Sequence, residues 1–375
     1  MTKISASWLE SDAVQRVCRL LTDAGYQAWF VGGCVRNVLI GAPVSDLDLT
    51  TDALPQDVMA LAKAAEIRSI PTGIDHGTVT LVLDGIPFEI TTFRHDVATD
   101  GRRATVAFAD NMTDDARRRD FTMNALYAAP DGEVADPLGG LPDLKARRVR
   151  FIEDADQRIK EDYLRILRFF RFYAWYGDQA EGPDRDGLAA CAENIEGLQG
   201  LSAERITAEM LKLLAAPDPA PAVASMASTG ALAQILPGSD AGALPVLVHL
   251  EGMTKTPPNA IRRLAVIGGN IEAHLRLSND QSRRLAQMTD GEAPTTAAFR
   301  HGFEAGRDAA LVHAASLGQP PDLEAIAHAA EQVFPLKAAD LMPALSGAAL
   351  GQALKQAETR WIASGFTLTK ADLLD

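Results

Sequence analysis

The chain has 375 residues, a formal net charge of −14, 47% hydrophobic and 23% charged residues, which describes a soluble protein with sizeable cores and room for two or three domains. No apolar run reaches the length of a membrane helix, the N-terminus MTKISASWLESDAV carries acids early and lacks a signal core, and Cys18, Cys34 and Cys191 are scattered without a CxxC, so membrane insertion, secretion, a disulfide framework and a zinc site are all excluded as expectations and the cytoplasm is the expected compartment. The acidic total argues against indiscriminate nucleic-acid binding. Charge is balanced, however, between Arg94 and Arg171, with clusters at Arg102-Arg103, Arg117-Arg118-Arg119 and Arg147-Arg148-Arg150. A local basic groove suits one defined RNA partner.

Taken in order, Trp8 to Ala24 has helical periodicity through Val14, Val17, Leu20 and Leu21, and Gly25 stops it. Ala28 to Val31 reads as a buried strand, Gly32-Gly33 as a turn and Cys34 to Ile40 as a short helix ended by Gly41-Ala42-Pro43. Alternation from Asp46 to Thr50 is strand chemistry. A glycine pair between strand and helix lets an anion approach the free N–H groups of the helix start. Arg36 sits in that first turn, where a cation is disfavoured by the helix dipole unless an anion is nearby. Asp46 and Asp48, two apart on a strand, share a face. Their repulsion calls for a cation between them, and a hard ion with oxygen ligands, Mg²⁺, is the natural occupant.

A helix from Pro55 follows, then strands over Ile67–Ile70, Thr78–Leu83 and Pro87–Phe93, the last two joined as a hairpin at Asp84-Gly85. Glu89, between Phe88 and Ile90, is either an acid in an apolar strand that needs a cation nearby or a half-exposed edge residue. The polar stretch Asp96 to Asp115, with Asp100-Gly101, predicts a mobile loop. Arg117-Arg118-Arg119-Asp120 leads into what reads as a helix start at Phe121 to Leu126, and Asp136 to Leu144 is turn-rich. Glu161 to Phe172 reads as an amphipathic helix with an apolar stripe at Leu164, Leu167 and Phe170, and with Asp162, Arg165, Arg168 and Arg171 recurring every third residue. Ser202 is placed as the N-cap of the next helix. Beyond Pro217 the chain predicts several short helices without a repeat, and its single histidines carry no ligand pattern.

Three of these strings resemble one family. GGCVRNVLIGAPVSDLDLTT, RRDFTMNAL and EDYLRILRFFRF are similar to motifs of the tRNA nucleotidyltransferase and bacterial poly(A) polymerase family, within the superfamily that includes DNA polymerase beta. Asn37 departs from the family's usual Asp, which bears on the local support of Arg36. The resemblance implies an α+β fold: a nucleotidyltransferase head with a mixed sheet (1–150), a helical neck and body (151–240) that reads the base and binds RNA, and a helical tail (241–375) that binds tRNA. It implies addition of CMP and AMP from CTP and ATP to the 3′ end of tRNA by two-metal phosphoryl transfer, with poly(A) synthesis, or CC-only or A-only addition, as alternatives that these motifs leave open. A non-catalytic RNA-binding protein on the same fold is a more distant alternative, against which the two facing aspartates speak.

The roles implied are Asp46 and Asp48 as ligands of Mg²⁺, Glu89 as a further catalytic carboxylate, Gly33 and Arg36 at the triphosphate, Arg119 at the incoming nucleotide, and Asp120 at the ribose or bracing that arginine. Arg168 and Arg171 add cationic contacts. Asp162 and Arg165, three apart on a helix, are expected to act as one pair. Cytosine and adenine both show an amino donor beside a bare ring nitrogen on their pairing edge, which a carboxylate and a guanidinium complement.

Overall fold

The computed structural model describes every residue except Met1, Gly101, Arg102, Pro343 and Asp375, and leaves the side chains of residues 96–100 and 103–106 undescribed. The chain forms two compact units, Met1–Pro237 and Gly238–Asp375.

In the first unit, α1 (Asp12–Thr22) precedes β1 (Trp29–Val31), α2 (Gly33–Ile40), β2 (Asp48–Thr51), α3 (Pro55–Ala64), β3 (Arg68–Gly73), β4 (Thr78–Leu83) and β5 (Ile86–Thr92). β6 (Arg94–Asp100) and β7 (Arg103–Phe108) follow, then α4 (Met112–Arg117), β8 (Tyr127–Ala128) and β9 (Val134–Ala135). One seven-stranded sheet has the order β3-β4-β5-β2-β1-β8-β9. It is mixed, because β2 runs parallel to β5 while the other neighbours are antiparallel. The β4–β5 hairpin turns at Asp84 (φ 52°) and Gly85 (φ 79°), the two left-handed residues that a tight hairpin needs. Serine 11 caps α1 through its side chain, accepting from the Val14 N–H.

Helices complete this unit: α5 (Leu141–Lys145), α6 (Ala155–Glu161), α7 (Leu164–Tyr176), α8 (Arg185–Glu193), α9 (Ala203–Leu214), α10 (Ala220–Thr229) and α11 (Ala231–Ile235). The boundary expected near Arg150 lies inside this first unit. Phe121 packs on Phe151 (5.0 Å between centroids) and Phe172 (4.8 Å), and Phe151 stacks on Phe169 (5.5 Å). These rings are buried on the residues that follow the RRD string and on α7, so one apolar cluster fixes both at the cavity described below.

Helices build the second unit, from α12 (Leu244–Met253), α13 (Ala260–Ile267), α14 (Ile271–His274) and α15 (Asn279–Thr289) to α16 (Pro294–His301), α17 (Phe303–Leu317), α18 (Leu323–Ala330), α19 (Ala338–Leu341), α20 (Gly347–Ala363) and α21 (Lys370–Leu374). Proline and glycine punctuation gives short helices, as the sequence predicts.

Four expectations are corrected. Asp96 to Asp115 is not a loop: β6 and β7 pair antiparallel with Arg94 opposite Phe108, and α4 follows, while the Asp100-Gly101 turn falls partly outside the described residues. Alternating Ala/Val/Thr residues in this stretch carry strand propensity that its acids obscured. The RRDFTMNAL string forms a 3₁₀ turn (Thr122–Asn124) and then β8, not a helix, because its apolar residues Phe121, Met123 and Leu126 are buried on several sides. Strand β2 begins at Asp48, leaving Asp46 in the extended segment before it. Finally, α7 begins at Leu164, and Asp162 is the extended residue that ends α6.

Candidate active site

Sheet order places the acids. Because β2 and β5 are parallel and in register, Asp48 lies directly beside Glu89. Cross-strand partners in register point to the same face, and here it is the exposed one. Asp46, also exposed, accepts a hydrogen bond from the Ser45 hydroxyl (2.9 Å). Desolvation by the surrounding protein, then the charge of Glu89, and after these the charge of Asp46, raise the Asp48 carboxyl above its usual range against the opposing pull of Arg119. Neither Asp48 nor Glu89 has an ion-pair partner among the described residues. That is the donor set a hard divalent cation fits: oxygen ligands whose repulsion a cation relieves. Among the described residues no three acidic, histidine or cysteine side chains converge as a closed ligand set, which matches the habit of Mg²⁺ to take one or two carboxylates and leave positions for water and phosphate.

Asp48 borders a cavity of about 400 Å³ that is also lined by Gly32, Gly33, Arg36, Arg118, Arg119, Asp120, Asn124, Asp162, Arg165, Arg168 and Phe172. Its volume suits a ligand of nucleotide size. Gly32 holds φ +72° at the start of α2, and an added Cβ would lie 3.6 Å from Arg119 Nη1. Glycine is thus demanded by the backbone, and the free N–H groups of α2 open toward the cavity wall that Gly33 forms.

The arginines are held one by one. Arg119 donates to the buried Asp115 (Nη2–Oδ2 3.0 Å), Arg118 donates to the other oxygen of Asp115 (2.8 Å), and the Tyr127 hydroxyl adds a third bond to it (2.8 Å). Burial pushes the Asp115 carboxyl up, but the two arginines and Tyr127 outweigh it and hold it at about 2. Burial likewise opposes Asp120, yet Arg168 (Nε–Oδ2 2.7 Å) and Asn124 (Nδ2–Oδ1 2.9 Å) hold it at about 2 as well. Asp120 therefore braces Arg168 and not Arg119. Arg171 lies 2.7 Å from Glu209 of α9 and is not in the cavity lining.

Asp162 and Arg165 both line the cavity, but they are not one pair. Arg165 donates to Glu161 (2.6 Å) and to the carbonyls of Arg158 (2.8 Å) and Arg118 (3.0 Å). Asp162 accepts from the Leu164 N–H (3.1 Å) and from Arg205 of α9 (2.7 Å). The regular three-residue spacing suggested a single helical row. The chain breaks between α6 and α7 instead, and each of the two side chains receives its own counter-ion.

Arg36 stands apart. It is 6% exposed and is held by neutral groups: Asn37 Oδ1 (2.9 Å from Nη2, 3.1 Å from Nε), the Tyr176 hydroxyl (2.8 Å) and Asn124 Oδ1. The Tyr176 ring lies 4.0 Å from its guanidinium carbon.

Residues missed by the sequence reading are thus Asp115, Asn124, Tyr127, Glu161, Tyr176, Arg205 and Glu209. Asp115 had a signal, being three and four residues before Arg118 and Arg119 on one helical turn. Arg205 and Glu209 lay in a recognised string but carried no local clue to their distant partners.

Comparison with known proteins gives these residues a setting. The family model described as the poly A polymerase head domain matches residues 28–150, and that described as the probable RNA and SrmB-binding site of polymerase A matches residues 183–242. The chain is 31% identical to mitochondrial CCA tRNA nucleotidyltransferase 1 of Mus musculus over 391 aligned positions, 98% of this chain and 90% of that protein. It is 40% identical to the CCA-adding enzyme of Geobacillus thermodenitrificans over 224 residues, 59% of this chain and 54% of that protein, so this second alignment spans about half of the relative. The Bacillus stearothermophilus CCA-adding enzyme solved in complex with CTP superposes with a TM-score of 0.73 at 29% identity, covering 94% of this chain and 92% of the other. The Thermotoga maritima CCA-adding enzyme complexed with tRNA shares the fold (TM-score 0.69) at 16% identity.

Proposed function

Because this chain belongs to the CCA tRNA nucleotidyltransferase family, we propose that it transfers CMP and AMP from CTP and ATP to the 3′ end of tRNA without a nucleic-acid template. The observation that carries this reading is Asp48, in register beside Glu89 and without a counter-ion, at the rim of a cavity whose other walls carry five arginines against two aspartates. Asp46 and Asp48 would hold a divalent metal, for which magnesium is the choice. When bound, it supplies activation of the attacking 3′-hydroxyl and neutralisation of the leaving pyrophosphate.

The remaining work falls to the chain itself. Gly33 and the start of α2 offer N–H donors to phosphate oxygens, and Arg36 offers charge to the same group. Arg119, locked by Asp115 and Tyr127, faces the nucleotide with little rotamer freedom left to lose. Arg168 is similarly fixed by Asp120. Glu89 sits beside Asp48 as the further carboxylate. Asp162 and Arg165 read the pairing edge of the base, each aimed by its own partner, Arg205 or Glu161. Uracil and guanine present a carbonyl and a ring N–H there and leave both contacts unmet, a loss of about 1–3 kcal/mol for an unpaired buried polar group. Residues 1–150 act as the catalytic head, 151–240 as the base-reading and RNA-binding neck and body, and 241–375 as a tRNA-binding tail. No helix among the described residues is long and apolar enough to cross a membrane, and the cytoplasm is the proposed compartment.

Transcripts of one tRNA ending before CCA, after CC and complete, incubated with each nucleoside triphosphate and Mg²⁺, test the reading. Extension to CCA and no further supports it. Long A tails on the complete transcript would assign poly(A) synthesis instead, and no extension of any substrate would refute nucleotidyl transfer.

A further inference from the structure

The sheet face that carries Asp48 and Glu89 also holds a row of hydroxyls beside them. Alternation along β4 and β5 turns Val79, Leu81, Phe88 and Ile90 into the core and puts Thr78, Thr80, Glu89 and Thr91 on the opposite face. Thr80 stands opposite Glu89 in register, and Thr78 opposite Thr91. The three strands β4, β5 and β2 contain no arginine, lysine or histidine.

These hydroxyls come in pairs. Thr78 Oγ1 and Thr91 Oγ1 are 3.0 Å apart, and Thr72 Oγ1 and Thr80 Oγ1 are 2.8 Å apart. One proton closes each pair, so each pair keeps one O–H to give. Thr50, beside Thr91 on β2, has spent its proton on the Thr91 carbonyl instead (2.9 Å). Burial withdraws the Thr80 hydroxyl from a ligand, and Thr72 lies on the edge strand β3, two strands from Glu89. Thr78 and Thr91 are partly exposed. Thr91 is two residues from Glu89 on one strand, about 7 Å along it, so a single sugar can reach both.

Position on the sheet decides what this face can meet. In the strand order β4-β5-β2-β1 the cavity residues Gly32, Gly33 and Arg36 follow β1, on one side of Asp48, while Glu89 and Thr91 lie on the other. In phosphoryl transfer the attacking and leaving oxygens stand roughly in line across the phosphorus. A triphosphate held at the start of α2 therefore receives its attacking hydroxyl from the β5 side. Strands with acids and no cation suit a neutral, hydroxylated group there better than a phosphate. We propose that Thr91 contacts the 2′-hydroxyl of the terminal ribose of the RNA being extended, that Thr78 is a positioning residue for the Thr91 hydroxyl, and that this contact selects a ribose end over a 2′-deoxy end. The inference rests on the nucleotidyl-transfer reading for the presence of that RNA end. If the pair served only to tie β4 to β5, its loss would lower stability and leave the choice of end unchanged.

The test compares two forms of one tRNA ending before CCA, alike except that the last sugar is ribose or 2′-deoxyribose, each extended by the full chain with CTP and Mg²⁺. The parent is expected to extend the ribose end with about tenfold higher kcat/KM, the effect of one unmet hydrogen bond. Thr91→Val, nearly equal in shape, is expected to lose that advantage on the ribose end, while kcat/KM on the deoxy end and KM for CTP stay within about twofold. Thr78→Val leaves the Thr91 hydroxyl in place but untethered, and a preference of about threefold is expected; it carries the test if Thr91→Val does not fold. Equal extension of the two ends by the parent overturns the proposal without any variant. So does the full preference retained in either variant, or an equal loss on both ends, which would mark general damage to the sheet. No extension of either end by the parent would refute the nucleotidyl-transfer reading itself, a result distinct from all of these.

Discussion

Each compact unit buries a cluster of arginines, and the two clusters are built differently. In the second unit Arg262 and Arg263 have side chains 1% exposed and both close on Glu251, Arg262 at 2.6 Å and Arg263 at 2.8 Å, while Asp308 takes the other arm of Arg262 at 2.7 Å. Charges there are matched within the protein. In the first unit Arg118, Arg119, Arg165 and Arg168 are 12–31% exposed and, with the more buried Arg36, stand around a cavity that has Asp48, unpaired beside Glu89, at its rim. Burial of charge is common to both; what separates a structural network from a site is whether the charges cancel without a ligand.

Removing an uncancelled charge should therefore end function while sparing the fold. Asp48→Asn and Asp46→Ala are each expected to lower nucleotide addition by at least about a thousandfold, at the upper end of what one electrostatic group contributes. Single-turnover extension of a tRNA ending before CCA measures this, with thermal melting as the control for folding. A variant with a parent-like rate would remove these residues from the chemistry.

The opposite pattern is expected in the second unit. Glu251→Gln leaves two buried guanidiniums without their shared carboxylate, a loss of about 3–5 kcal/mol of stability for a broken buried pair. Denaturant unfolding of the full chain should show the transition of that unit at lower concentration while CTP affinity stays within twofold. Unchanged unfolding would mean that the closed network is not what stabilises this unit.

A smaller effect should come from a pair that belongs to neither extreme. The Arg205–Asp162 ion pair is internally matched, yet Asp162 lines the cavity. Arg205→Gln should free the carboxylate to rotate and lower the preference for CTP over UTP by about tenfold, with partial recovery in Arg205→Lys. Discrimination equal to that of the parent would separate Asp162 from base reading.

These contrasts also mark how far the chain could be read before its structure. Local features were legible: the glycine turn, the β4–β5 hairpin and the Ser202 cap all depend on residues close in sequence. Glu89 was half legible, since its neighbours gave a strand but only the parallel register of β2 and β5 put it beside Asp48. The pairing of Asp162 with Arg205 and of Arg171 with Glu209 was not legible, because 43 residues separate the first pair and periodicity carries no information over that distance. Asp115 misled because its acidic, polar neighbourhood resembles a loop, whereas burial against two arginines and Tyr127 makes it an anchor.

The smallest expected effect sharpens the comparison most, because it has the opposite sign to ordinary damage. The Asp48 carboxyl is raised in the folded chain, first by desolvation and then by the charge of Glu89 and of Asp46. Between the unfolded value of 3.8 and that raised value, the folded state binds more protons than the unfolded one. Stability contributed by this group is thus present below the unfolded value and lost as pH rises through the folded one. Above that window the ionised Asp48 destabilises the fold, by about a few tenths of a kcal/mol once solvent screening of so exposed a group is included. Asp48→Asn should then melt slightly higher than the parent at pH 7 without divalent metal, and the difference should vanish as pH falls below 3.8. Added Mg²⁺ should erase or reverse the gain, because only the parent holds the cation through that carboxylate. A lower melting temperature for Asp48→Asn at pH 7 without metal would show that Asp48 is already neutralised inside the protein, and the first unit would then be as closed a network as the second.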